Sequence, residues 1–489
     1  MERVTPENAT IAWWSGPRYT REGWEPASGA PYFQAALVFM TAVYAFETYL
    51  DVRQHRKLHE AAFPQPLADA IGALDDASAP QKVPDEPAAS EAAGAAEPPV
   101  SLLAATRAKF DKSRAYGLDK STFGLVSGAY AQLEATALLL LGYLPFMWTL
   151  SARALAALGV ADPANELALS VMLLVLTSVR ETLTGLPFAL YSTFVVEARH
   201  GFNKQTLGLF CADALKGLAL QLAIGAPVTA ALVVVIRWGG ALFYLYAWGV
   251  LLAFALAMIT LYPVLIMPLF NTFTPLESGE LRTRIEALAA RLRFPLTQLF
   301  VVDGSTRSSH SNAYFFGLFK SKRIVIFDTL LAQATPDEIV AILGHELGHW
   351  QLAHLPQSFA LQQLHLLACF YVFGRCMHDG ALFASFGFAA RDAQPVLVGF
   401  LLFSQTVWAP VEHALAFLST LLTRRNEFQA DAFAVALGHA RALKSGLTKL
   451  ALENLANMNP DPLYSAYHYS HPPLVERLNA ITASAKKLQ

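Results

Sequence analysis

Apolar runs long enough to cross a bilayer constrain the fold of this 489-residue chain more than any other feature. A hydrocarbon core of about 30 Å takes roughly 20 consecutive apolar residues in a helix. Seven stretches qualify: Pro31 to Leu50, Leu125 to Leu150, Leu167 to Leu186, Leu218 to Ile236, Ala241 to Leu269, Pro356 to Cys376 and Pro395 to Leu422. With 54% hydrophobic and 15% charged residues, the chain is too apolar for an ordinary soluble protein of its length. The first run begins only at Pro31, after a polar and aromatic arm, so no cleavable signal peptide is expected. Glu47, Glu134, Arg180, Glu181 and Glu412 fall inside or beside these runs. Charge is costly in lipid, so they are expected to face protein or water.

Loop charge gives an orientation. Nine Lys/Arg lie between the first two runs, eight between the fifth run and residue 355, and eight from Thr423 onward. The positive-inside rule places these segments in the cytosol and the N-terminus in the lumen.

His345-Glu346-Leu347-Gly348-His349 adds chemistry to this framework. Two histidines four apart share one face of a helix and can reach one Zn²⁺, while the glutamate between them can take a proton from a water held by that metal. Thr335-Pro336-Asp337-Glu338 opens the helix as a capping box, and Ile339, Val340, Leu343 and Leu347 form its apolar stripe. A catalytic zinc needs a third protein ligand and an open fourth position. Glu427 is the best candidate, with Asp431 four residues on to accept a hydrogen bond from a ligating imidazole. Both halves of this site fall on the cytosolic side.

Between the fifth run and the zinc helix, Leu281 to Leu292 has helical amphipathicity, while Leu299 to Val302 and Arg323 to Phe327 look like short strands joined by a loop from Asp303 to Phe319. A small sheet beside the zinc helix, with an edge suited to an extended peptide, is expected. Residues 61–100, rich in Ala and Pro, are expected to form a flexible cytosolic insert. Cys211, Cys369 and Cys376 suggest neither a disulfide framework nor a Cys-type zinc cluster. A net charge of −2 and the lack of a glycine-rich phosphate loop argue against a nucleic-acid partner.

Several blocks, from Tyr32 to about Asn479, resemble the type I CAAX prenyl proteases, membrane zinc endopeptidases that process prenylated proteins. They are Phe46 to Gln54, Lys112 to Tyr116, Leu118 to Ser121, Leu186 to Phe188, the segment up to Gln205 that includes Glu197, Arg199, His200 and Gly201, Ser308 to Tyr314, and Phe327 to Leu331. The 61–100 insert and Thr423, where the family has serine, depart from the pattern.

The resemblance implies a mainly α fold: a seven-transmembrane-helix barrel enclosing a hydrated chamber, with a cytosolic-side zinc metalloprotease domain containing a small β-sheet. The expected divisions are a lumenal arm at 1–30, five transmembrane helices at 31–270 carrying the 61–100 insert, a zinc-motif segment at 271–356, two further transmembrane helices at 357–422, and a cytosolic segment at 423–489 that completes the site. One Zn²⁺ per chain would be held by His345, His349 and Glu427. Glu346 would be the catalytic base, His471 and Arg477 would act beside the metal, Asp431 would orient a ligand, and Asn312 would hold the substrate backbone. The implied reaction removes the last three residues of prenylated CAAX proteins, with a second cut upstream in some substrates, and membrane lipid is the other expected partner.

A membrane quality-control zinc peptidase of the heat-shock type would share the zinc residues without prenyl specificity. A transporter or receptor with a vestigial zinc helix is the non-enzyme alternative. The ending Lys486-Lys487-Leu488-Gln489 resembles a dilysine signal, pointing to the endoplasmic reticulum membrane, with the nuclear envelope as a second location.

Overall fold

The computed structural model describes residues 31–76, 101–317, 321–388 and 394–488, so the expected lumenal arm at 1–30 lies outside the described residues. The chain begins with α1 (Tyr32–Leu58), a short α2 (Gln65–Asp76), α3 (Leu102–Leu140), α4 (Tyr143–Ala157), α5 (Glu166–Tyr191), α6 (Leu207–Trp238) and α7 (Phe243–Leu261). Polar caps set several starts: Ser101 accepts from Ala104 N, Asn165 from Leu167 and Ala168 N, and Thr206 from Leu209 N. A π-helical turn extends α5 to Glu197.

Seven membrane-crossing helices were expected, but five among the described residues are long and apolar enough: Tyr32–Leu58, Leu102–Leu140, Glu166–Glu197, Leu207–Trp238 and Gly240–Leu269. They do not close into a barrel, and the chamber that the resemblance implied falls with it. The packing runs α4 on α5, α5 on α6 and α6 on α7, and α7 packs in turn on a helix of different character over His354–Cys376.

The sixth and seventh stretches fail for physical reasons. Gln357, Gln362, Gln363 and His365 break the apolar run of the helix over Pro356 to Cys376. The Pro395 to Leu422 stretch divides into an eight-residue helix, a π-helical turn at Ser404–Trp408 and the start of a long helix bearing Glu412. Its most apolar part is buried against protein: Val398, Leu402 and Phe403 are at most 1% exposed, and Phe403 packs 5.4 Å from Phe373.

Of the charged groups expected to face protein or water, Glu47, Glu134, Arg180 and Glu412 have polar partners, and Glu181 is exposed. Arg180 bonds Glu134 and lies over the Tyr143 ring, Tyr467 donates to Glu47, and His365 is 3.0 Å from Glu412. Within the expected insert, α2 buries Leu67, Ile71 and Leu74 beside α3 and the C-terminal helix, a core it does not build alone; 77–100 lie outside the described residues.

After the fifth membrane helix come β1 (Phe273–Pro275), α8 (Glu280–Arg291), β2 (Leu296–Val302), β3 (Ala313–Phe316), β4 (Lys322–Phe327), α9 (Asp328–Gln333) and α10 (Pro336–Gln351). The sheet order is β1-β2-β4-β3, with β2 and β4 parallel and the outer pairs antiparallel. The expected loop from Asp303 to Phe319 therefore contains an edge strand, β3, which packs beside α10. Ile324 and Ile326 of β4, Ile285 of α8, and Ile339, Leu343 and Leu347 of α10 make the core beneath the sheet.

The chain continues through α11 (His354–Cys376), α12 (Gly380–Ser385), α13 (Val396–Phe403), α14 (Ala409–Ala436), α15 (Ala440–Glu453), α16 (Pro462–His468) and α17 (Leu474–Leu488). α14 packs on both α10 and α17, so three distant segments meet along one helix. The three cysteines are unpaired.

Candidate metal centre

The capping box written into Thr335 to Glu338 forms: Thr335 Oγ1 accepts from Glu338 N, and the Glu338 carboxylate accepts from Thr335 N at 2.8 Å. The helix that follows can pack closely because of one glycine. A Cβ at Gly348 would stand 3.1 Å from Phe433 Cδ1 and 3.3 Å from Ala430 Cα, so Gly348 lets α14 approach. That approach brings Glu427, in the middle of α14, to the two histidines.

His345 Nε2 and His349 Nε2 are 3.2 Å apart; Glu427 Oε1 is 3.2 Å from His349 Nε2 and Glu427 Oε2 is 3.5 Å from His345 Nε2. Together the three side chains form a cluster able to hold a metal ion. Its edges match those of a tetrahedral zinc with bonds of about 2.0–2.1 Å. Glu427 Oε2 is buried without a well-formed hydrogen bond, and the two facing imidazole nitrogens repel when both are bare. A cation resolves both problems, so the residues fit Zn²⁺.

Each imidazole is also held from behind. His345 Nδ1 lies 2.9 Å from Asp431 Oδ1, and Arg477 grips Asp431 through Nε and Nη2. His349 Nδ1 lies 3.0 Å from His354 Nδ1, and His354 Nε2 is 3.0 Å from Gln429 Oε1. Burial pushes the His354 imidazole below its usual range. His471, two-thirds exposed, places Nδ1 2.8 Å from Glu427 Oε2, and the closeness of this carboxylate raises its pKa.

The carboxylates are tuned in opposite directions. Burial raises the Glu346 carboxyl, against the pull of His345 and His349, leaving it a better proton acceptor. Burial would raise Glu427 and Asp431 too. For Glu427 the close imidazoles of His349 and His471 and the charge of Arg477 win; for Asp431 the bonds from Arg477 and His345 win, so both are held below the carboxylate range.

The structure thus brings together His345, Glu346, His349, Glu427, Asp431, His471 and Arg477. Arg477, expected to act beside the metal, grips Asp431 and also places Nη1 3.6 Å from Glu427 Oε2. Asn312 is outside this hydrogen-bonded cluster, exposed just before β3, its Oδ1 accepting from Ala313 N. Sequence reasoning missed His354. Five residues after His349 it has no helical periodicity to mark it, and only the break after α10 turns it back.

The other family-like blocks also meet. Tyr116 Oη donates to Glu197 at 2.6 Å, His310 lies 3.3 Å from the same carboxylate and stacks on Phe202, and His200 and Arg199 share Asp119.

Comparison with known proteins agrees with this geometry. Residues 54–272 match the family described as CAAX prenyl protease N-terminal, five membrane helices, and residues 275–485 match peptidase family M48. The chain is 46% identical to the CAAX prenyl protease 1 homolog of Oryza sativa subsp. japonica over 94% of its own length and 99% of that protein's. It is 39% identical to the Homo sapiens CAAX prenyl protease 1 homolog, covering 94% and 97%. The crystal structure of S. mikatae Ste24p superposes with a TM-score of 0.78 at 37% identity, covering 94% of this chain and all of that one. With its five membrane helices and His/His/Glu cluster, this chain belongs to the CAAX prenyl protease family of M48 zinc metalloendopeptidases.

Proposed function

We propose that this enzyme cleaves prenylated CAAX proteins after the prenylated cysteine, releasing the C-terminal tripeptide. The observation that carries the reading is the His345, His349 and Glu427 triad with Glu346 beside it, in a multi-pass chain similar over 94% of its length to CAAX prenyl proteases. When bound by the triad, Zn²⁺ supplies Lewis acidity that polarises the scissile carbonyl and acidifies the attacking water.

The chain's own residues do the rest. Glu346 accepts the proton as water oxygen bonds to the carbonyl carbon, and passes it to the amine as the C–N bond breaks. His471, whose proton the adjacent Glu427 carboxylate helps to hold, donates to the developing oxyanion. Asp431, clamped by Arg477, fixes His345 with its Nε2 toward the triad. The edge strand β3 and Asn312 hold the substrate as an added strand, through main-chain hydrogen bonds.

Orientation follows from charge. The segments at 51–124, 270–355 and 423–489 carry nine, eight and eight Lys/Arg, whereas Arg153 is the sole cation between Leu141 and Asn165. This bias supports a catalytic site reached from the cytosol, and an odd number of spans leaves the N-terminus on the other side.

The test is cleavage of matched farnesylated and unlipidated CAAX peptides by the detergent-purified protein, with and without a zinc chelator. Chelator-sensitive release of the tripeptide from the farnesylated peptide is expected. Chelator-sensitive cleavage indifferent to lipid and to the CAAX end would sink the substrate assignment and favour a general quality-control peptidase.

A further inference from the structure

The imidazole of His354 sits where it decides which nitrogen of His349 is left bare. His349 Nδ1 and His354 Nδ1 are 3.0 Å apart, and such a contact needs one N–H and one lone pair. Gln429 Oε1, 3.0 Å from His354 Nε2, has only lone pairs to offer, so the His354 proton belongs on Nε2. With the Nε2 proton given to Gln429, the buried His354 ring offers its Nδ1 lone pair, which accepts from His349 Nδ1–H. His349 is left with a bare Nε2, the atom 3.2 Å from Glu427 Oε1 and the only one that can ligate. Donation runs one way, from His349 to His354 to Gln429. Turning the Gln429 amide so that its nitrogen faced His354 would reverse both steps and put the proton on His349 Nε2.

The backbone is bent to make this contact. Were α10 to continue, a residue five positions past His349 would project about 140° away from it around the helix. Instead Ala353 adopts φ 55° and ψ 32°, a left-handed conformation that non-glycine residues rarely take, and α11 starts with His354 folded back. His354 is 4% exposed, a polar ring buried with both nitrogens engaged. Gln429 stands two residues after Glu427 on α14, so one helix supplies a ligand and anchors the tautomer of another.

We propose that His354 and Gln429 are positioning residues for the metal centre, a neutral relay that fixes His349 as an Nε2 ligand. The two histidines are thus held by unlike partners: a carboxylate clamped by arginine behind His345, and a neutral imidazole and amide behind His349. A carboxylate raises ligand basicity more than a neutral acceptor does, which makes His349 the weaker of the two ligands.

The proposal rests on the metal-ligand reading of the triad, and zinc binding tests the two separately. Full-length protein in detergent is stripped and titrated with Zn²⁺ against a chromophoric chelator, and the melting temperature of the metal-free form serves as the folding control. The parent is expected to bind one Zn²⁺. His354→Phe should weaken binding about 10- to 100-fold, and His354→Asn, which places an acceptor oxygen near the position of Nδ1, should recover most of that loss. Gln429→Leu should weaken binding less, and Gln429→Glu should tighten it. Should His354→Phe fail the folding control, the Gln429 pair decides. Parental zinc affinity in a folded His354→Phe or in Gln429→Leu overturns the relay, as does an asparagine variant no better than phenylalanine. A parent that binds no Zn²⁺ overturns the triad reading itself and the relay with it.

Discussion

Arg477 holds Asp431 with two donors, Nε to Oδ2 at 2.9 Å and Nη2 to Oδ1 at 2.7 Å, and the carboxylate it grips is 1% exposed. Removing the guanidinium leaves a buried anion facing His345 with no cation in contact. Arg477→Ala should therefore cost about 3–5 kcal/mol of stability and weaken zinc about 10- to 100-fold. Thermal unfolding and metal analysis check this, and an unchanged melting temperature with full zinc content would exclude it.

Glu346 lies beside the triad but is not one of its ligands, so its chemistry separates from metal retention. Glu346→Gln should keep parental zinc while turnover of a prenylated CAAX peptide falls by about 10²- to 10⁴-fold. Zinc stoichiometry and peptide release measured on one preparation decide it; loss of zinc together with activity would move Glu346 into the ligand set.

Gly348 sets the distance between α10 and α14. Gly348→Val should push α14 outward from Phe433 and Ala430, withdraw Glu427 and lower zinc content, with an overpacking cost of about 1–3 kcal/mol. Gly348→Ala should do so much less. Equal zinc content in the parent and the valine variant would show that the approach is not tight enough to matter.

Glu338 links the start of the zinc helix to α15. Burial alone would raise its carboxyl, but Lys449, Ser445 and Thr335 N–H outweigh burial and hold it below the usual glutamate range. Folding therefore favours the ionised form. The stabilisation is fully present above the unfolded value of 4.5 and is lost as pH falls through the lower folded value. Glu338→Gln should cost about 1–3 kcal/mol at neutral pH, and the gap between parent and variant should close in acid. A melting-temperature gap that stays constant through the acid range would count against this bond.

Legibility in the sequence followed how local each signal was. The zinc helix was readable because its cap, apolar stripe and ligand spacing all lie between Thr335 and His349. The first five apolar runs were readable in number because bilayer length is a property of contiguous residues, although the second, read as Leu125 to Leu150, is cut at Gly142 where α3 gives way to α4. The same rule misled at Pro395 to Leu422, where Val398, Leu402 and Phe403 are apolar in order to pack against Phe373 and its neighbours inside the protein. Strand β3 was hidden in an apparent loop because its four residues acquire a partner only through β4. His354 could not be found from periodicity, since its role depends on one left-handed residue, Ala353, and on a glutamine 75 positions away.

The grip of α17 on the metal centre orders events in biosynthesis. His345 and His349 leave the ribosome before Arg477, which lies in the first turn of α17, more than a hundred residues later in the chain. During synthesis the five membrane helices can insert, and α10 can form, while Asp431 still lacks its cation. A chain stopped just before α17 would keep all five membrane helices and both histidines but lack the arginine that clamps Asp431.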